Sequence, residues 1–146
     1  MNIHSLKNDI SQMDGWYHKL IFIVDRNEQF HTRIPLLNDY EKVNVNRMLS
    51  ESLISIPKQK YPMYIDELLE KVLKNKENVY ILQHVDILFD LVLQINPVRL
   101  LENFSKTYKL IVEWPGRYVD GRLIYAEYGH PEYFVSDDFE GKVYIK

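Results

Sequence analysis

The chain has no cysteine among its 146 residues. That excludes a disulfide framework, a thiolate metal site and a cysteine nucleophile, and it is compatible with a reducing, intracellular setting. Also missing is any apolar run near the ~20 residues that a membrane-spanning helix needs. The first residues, Met1 to Ile10, lack the apolar centre of a signal peptide, so a cytoplasmic protein is expected. There is no Gly/Ser linker, internal repeat or low-complexity tract, and the length suits a single domain over 1–146. No G-x-S-x-G elbow is present, and Ser50 and Ser52 belong to an amphipathic helix, so no serine nucleophile can be read.

A surplus of positive charge is missing too. The formal net charge is -3, whereas gripping nucleic acid requires clustered Lys and Arg. From Leu123 to Gly141 there are five acids (Glu127, Glu132, Asp137, Asp138 and Glu140) and no Lys or Arg. A solvated acidic surface is the plain reading of that bias. A contact for a basic partner is the sharper one. Direct nucleic-acid binding by the isolated chain is disfavoured, and the tyrosines Tyr125, Tyr128 and Tyr133 are assigned to core or interface packing rather than to base stacking.

What is present is an alternation of strand-like and helix-like segments. Ile3, Leu6, Ile10 and Met13 recur at helical spacing, within an N-terminal helix closed by Gly15. His18 to Val24 is a continuous apolar run of strand length, which suits a buried strand of a parallel sheet. Lys42 to Val45 reads as a short strand, with Asn46 as N-cap of a helix from Arg47 to Ile56 that Pro57 ends. Ile65, Leu68, Leu69, Val72 and Leu73 mark one face of a second helix. Asn78 to Leu82 and Tyr108 to Trp114 are further apolar strands. Between them, Asn96 and Pro97 open a helix running to about Ser105. Within 117–146, Arg122 to Ala126, Tyr133 to Val135 and Lys142 to Ile145 read as short terminal strands, some at an edge. This alternation predicts an α/β domain, a mainly parallel sheet covered on both faces in a three-layer arrangement. Ligands of such folds bind at the carboxyl ends of the strands, so the loops after Val24, Leu82 and Val112 matter most.

A phosphate-binding P-loop is a strand, then G-x-x-x-x-G-K-[ST], then a helix. Laid after Val24, that pattern puts Asp25 on the first Gly, Phe30 on the second, His31 on the Lys and Thr32 on the hydroxyl residue. Only Thr32 agrees. Phe30 brings a Cβ and a ring where the backbone must approach phosphate, and a left-handed conformation there costs roughly 1–2 kcal/mol. His31 replaces a permanent charge, a loss of about 1.5–3 kcal/mol per hydrogen bond to a charged group. Asp25 and Glu28 set negative charge beside a polyanion. The penalties sum to several kcal/mol, and every ~1.4 kcal/mol is tenfold in affinity. On the second apolar strand, Gln83 stands where the Mg²⁺-binding Asp of a Walker B strand belongs, and a neutral amide is a poor ligand for a hard cation. Asp86 and Asp90 are read as starting or capping the following segment. Trp114 is read as packing under the turn made by Pro115 and Gly116. His84, His130 and Glu132 lack the spacing of a metal site. No cofactor is expected, and ATP with Mg²⁺ only in a weak or atypical mode.

Several segments together resemble a known family: Tyr17 to Val24, Val43 to Leu53, Ile81 to Asp90, Leu110 to Gly116, and Tyr125 to Tyr133. The chain resembles the BrxF family, small P-loop-containing proteins of type-three bacteriophage-exclusion (BREX) systems, from about Trp16 to Val135. The most specific pieces are Leu88 to Asp90, Trp114 to Gly116 and Gly129 to Glu132. The resemblance implies a P-loop NTPase-like fold and a role in prokaryotic defence against phage, among the other proteins of a multi-component system. Departures at Asp25, Phe30, His31 and Gln83 put ATPase activity in doubt. The chain is therefore expected to be a pseudo-ATPase subunit acting mainly through protein–protein contacts, with self-association left open. The competing expectations are an atypical ATPase completed by a partner or oligomer, and a DNA-binding accessory subunit.

Overall fold

A computed structural model describes residues 1–26 and 34–146. The apolar runs form a five-stranded parallel sheet. Its strands are β1 (Leu20–Val24), β2 (Glu41–Asn44), β3 (Val79–Gln83), β4 (Lys109–Trp114) and the late strand Lys142–Ile145, numbered β8 after the three short strands between. The order across the sheet is β2-β3-β4-β1-β8. Three short strands, β5 (Arg117–Val119), β6 (Arg122–Tyr125) and β7 (Phe134–Ser136), form a separate antiparallel sheet. The expected terminal strands thus divide between the two sheets. The last of them joins the parallel sheet beside β1, pairing Phe22 with Val143.

Strand residues alternate between two faces of the parallel sheet. Leu20, Phe22, Tyr80, Leu82, Leu110 and Val112 enter one core, completed by α2 (Val45–Leu53), α3 (Tyr61–Val72), α4 (Pro97–Ser105) and Leu123 of β6. Ile21, Ile23, Ile81 and Ile111 enter a second, smaller core with Leu6 and Ile10 from α1 (Ile3–Gln12), Met13 from the 3₁₀ turn that follows it (Met13–Gly15), and Leu37 from a short 3₁₀ turn at Pro35–Leu37. Both faces are therefore covered, which explains why β1 is apolar at every position and fully buried.

The helix starts follow side-chain capping. Asn96 Oδ1 accepts from Arg99 N at 3.1 Å and Pro97 occupies the first turn, as the sequence predicts. The start of α2 differs from expectation. Asn44, not Asn46, is its N-cap, accepting from Arg47 N at 3.0 Å. Asn46 instead turns its Oδ1 toward Ile87 N, at 2.7 Å, and ties α2 to the segment after β3. Two asparagines two residues apart offer the same local chemistry, and the long-range bond decides between them.

One glycine is fixed by close approach. A Cβ on Gly116 would lie 1.9 Å from Ile124 O, so only glycine lets the turn after β4 fold under β6.

Candidate functional site

Chain direction defines the first place to look. β1 leads to β2 at the far edge of the sheet, whereas β4 leads by way of the antiparallel strands to β8, on the other side of β1. Connections from β1 and β4 therefore depart in opposite senses. Their carboxyl ends form the switch point where α/β sheets bind ligands.

Polar side chains of described residues at this edge include Asp25 after β1, Gln83 ending β3, and Glu113 in β4. Gln83 Nε2 donates to Glu113 Oε2 at 3.0 Å, both half-buried. Asp25 is buried, with Lys146 Nζ at 3.7 Å from its Oδ2. Lys146 is held there by backbone pairing, its N–H donating to Val24 O at 2.8 Å. Among the described residues, Asp25 and Glu113 thus have partners within the chain. Asp25 and Gln83 were singled out by sequence, while Glu113 and Lys146 were not joined to them. Lys146 is more than one hundred residues from Asp25, and only the parallel pairing of β8 with β1 reveals its place. Phe30, His31 and Thr32 lie outside the described residues.

The same pattern of closed polar pairs recurs where α1 covers this face. Asp9 accepts from Tyr144 Oη and, at 2.9 Å, from Lys142 Nζ. Burial works to raise the Asp9 carboxyl, but the Tyr144 and Lys142 hydrogen bonds prevail, and its pKa lies below the usual carboxylate range. Burial and the bond to Asp9 raise Tyr144. Glu102 is buried on α4 and accepts from Arg99 Nη1 at 2.8 Å and Glu140 N at 2.7 Å.

A second region has the opposite character. Trp114 is buried, as expected, and donates Nε1 to Ile124 O at 3.0 Å. Its ring meets Phe89 edge-on at 5.5 Å and Phe22 at 5.8 Å. Phe89 in turn stacks on Tyr125, centroids 3.9 Å apart, and meets Phe134 at 5.5 Å. Burial, then the Asp86 carboxylate, pushes Tyr125 up to about 12, so its hydroxyl stays protonated and faces Asp86 Oδ2 at 3.5 Å. Asp86 begins a 3₁₀ turn (Asp86–Phe89), and Asp90 Oδ1 caps the next (Leu91–Leu93) through Val92 N at 3.0 Å. Both aspartates have the start-or-cap roles that the sequence suggests.

Gly129 takes φ +95° and begins the loop that returns to β7. Within it His130 Nδ1 accepts from Glu132 N at 3.0 Å. His130 therefore organises a turn. His84 follows β3 in a left-handed conformation, φ 53°. Among the described residues no group of three or more His, Asp or Glu is placed to hold a metal ion. Phe89, Trp114 and the loop of Glu132 come together here. Phe89 and Trp114 touch, and the loop of Glu132 runs into Phe134 beside them.

No family model, curated protein or solved structure matches the chain. Among the described residues no helix is long and apolar enough to cross a membrane.

Proposed function

We propose that the chain is a P-loop-type subunit whose nucleotide site has been replaced by internal polar pairing, and that it acts through protein–protein contacts. The bond from Gln83 to Glu113 carries this reading. At the strand end where a P-loop ATPase holds Mg²⁺ with Asp, a neutral amide stands and donates to the neighbouring strand. Recruiting Glu113 to a cation would break that bond. A hydrogen bond to a charged group contributes about 1.5–3 kcal/mol when buried, and about 1 kcal/mol is a fair discount for these half-exposed groups. Asp25 after β1 already engages Lys146 Nζ, so that cation is committed to a carboxylate within the chain rather than to a polyphosphate. The parallel sheet with β4 between β1 and β3 supports the P-loop-type reading of the fold, because it sets a polar residue of β4 between the two motif strands. The sequence resemblance supports type-three bacteriophage exclusion as the setting, with other proteins of that system as partners.

A second reading is favoured by Glu113 itself. It is a carboxylate on the strand where many P-loop ATPases carry a polar sensor, and a basic residue from a partner could complete an atypical ATPase around it. Turnover assays on the assembled multi-protein complex separate the two. The first reading expects the Mg²⁺-dependent ATP turnover of the complex to be the same with wild-type chain and with Thr32→Ala or Glu113→Gln. A loss of tenfold or more in complexes that assemble normally establishes the second.

A further inference from the structure

The aromatic stack under β6 and β7 supports a groove of about 100 Å³. One wall comes from the turn after β3, with Phe89, Asp90 and Leu91. The other comes from the loop before β7, with Glu132 and Tyr133, and Ile95 helps close the floor. The space suits one side chain rather than a cofactor. The groove's surroundings are unusual for a free surface. Leu91 is 65% exposed, Tyr133 38% and the neighbouring Tyr128 90%, its ring edge-on to Tyr133 at 5.6 Å. The acids on the two walls, Asp90 and Glu132, meet no Lys or Arg in the groove lining. The whole stretch from Leu123 to Gly141 also has none.

We infer that this groove is a docking site for an arginine side chain carried by an exposed segment of a partner protein. Three properties converge on that occupant. The apolar floor accepts the methylene stem, as long basic side chains bury their stems and keep their heads at the surface. Carboxylates on opposite walls supply the countercharge, and Asp90 Oδ1, fixed by Val92 N, holds its carboxylate in place. The exposed Tyr133 ring offers a face on which a planar guanidinium stacks, a geometry an ammonium cannot copy. Exposed aromatic and aliphatic groups beside such a pocket are what a protein contact covers. Nucleic acid does not fit, because the same carboxylates repel phosphate.

This inference deepens the protein-contact reading of the previous section and rests on it only for the partner being a protein. Nucleotide turnover neither supports nor weakens it. The test uses the full-length ¹⁵N-labelled protein and two short acetylated peptides, Gly-Leu-Arg-Leu-Gly and its neutral citrulline isostere. The expected result is saturable amide shifts confined to 89–95 and 132–134 with the arginine peptide. Binding should be at least about tenfold weaker for citrulline, and about tenfold weaker again to Glu132→Gln or Asp90→Asn. Asp90→Asn keeps the cap to Val92, since the amide oxygen still accepts, and Glu132→Gln keeps the size and shape of a half-buried side chain. An unchanged remaining spectrum therefore shows that each variant is folded. The inference is overturned by no shifts in these segments at about 10 mM peptide, a concentration that detects even millimolar binding. It is equally overturned by equal response to the two peptides, by the same shifts with a DNA duplex, or by concentration-dependent shifts without peptide, which would assign the groove to a second copy of this chain.

Discussion

The carboxyl edge of the parallel sheet and the groove beside β7 are built from the same kinds of residue and are finished differently. Among the described residues at the sheet edge, Glu113 is answered by Gln83 and Asp25 by Lys146, and under α1 Asp9 is answered by Tyr144 and Lys142. At the groove, Phe89, Trp114 and Phe134 are packed beneath, while Leu91, Tyr128 and Tyr133 stay exposed next to Asp90 and Glu132. A polar group with a built-in partner stabilises the fold, whereas an exposed apolar and acidic surface is free to serve contact. A place at a fold's customary ligand end thus says less than whether the polar groups there are already satisfied.

The largest expected effect tests the support of the groove. Trp114→Ala removes a nearly inaccessible indole and frees Ile124 O, and should destabilise by about 3–5 kcal/mol in urea titration. A loss below about 1 kcal/mol would mean that the stack does not hold the antiparallel sheet to the domain.

Restoring the expected acid at the sheet edge comes next. Gln83→Asp sets two carboxylates side by side and should cost about 2 kcal/mol at pH 7, allowing for partial exposure. One carboxyl of that pair would then have a folded-state pKa above its unfolded value of ~4. The penalty is therefore full at neutral pH and fades as pH falls through the raised pKa. Stability curves from pH 4 to 8 check this. A variant as stable as wild type at pH 7, and stabilised further by Mg²⁺, would show that the edge tolerates an ATPase-like acid.

The smallest effect concerns the lock under α1. Tyr144→Phe removes a hydrogen bond to a charged carboxylate and should cost about 1–2 kcal/mol near neutral pH. Because the folded-state pKa of Asp9 is depressed, its contribution is present above the unfolded value of ~3.9 and is lost as pH falls through the folded pKa. In the variant the Asp9 pKa rises, and the acid limb of the stability curve becomes shallower. NMR titration of the Asp9 carboxyl carbon reads the shift directly, and an unmoved pKa would show that Lys142 alone holds it down.

The frame was largely legible in the sequence, because apolar runs such as His18 to Val24 and the Asn96 and Pro97 helix start are local signals. Local chemistry was insufficient at Asn44 and Asn46, where a bond to Ile87 chooses the cap. β5 escaped notice, since Arg117–Val119 gains strand geometry from pairing with β6 rather than from its own composition. Gln83 stood out by itself as the wrong residue at a motif position. Its partner Glu113 could not be assigned to it, because adjacency across β3 and β4 is a property of register. The groove was the least visible feature. Its walls are more than thirty residues apart in sequence, and the acids from Leu123 to Gly141 read as surface until the aromatic stack brings Glu132 opposite Asp90.

The central claim is that internal pairing has taken the place of nucleotide binding. Calorimetric titration of the purified chain with ATP and Mg²⁺ tests it most directly. The account predicts no saturable binding tighter than about 1 mM, equivalent to about -4 kcal/mol. Saturation in the micromolar range, weakened tenfold or more by Thr32→Ala in a folded variant, would contradict it.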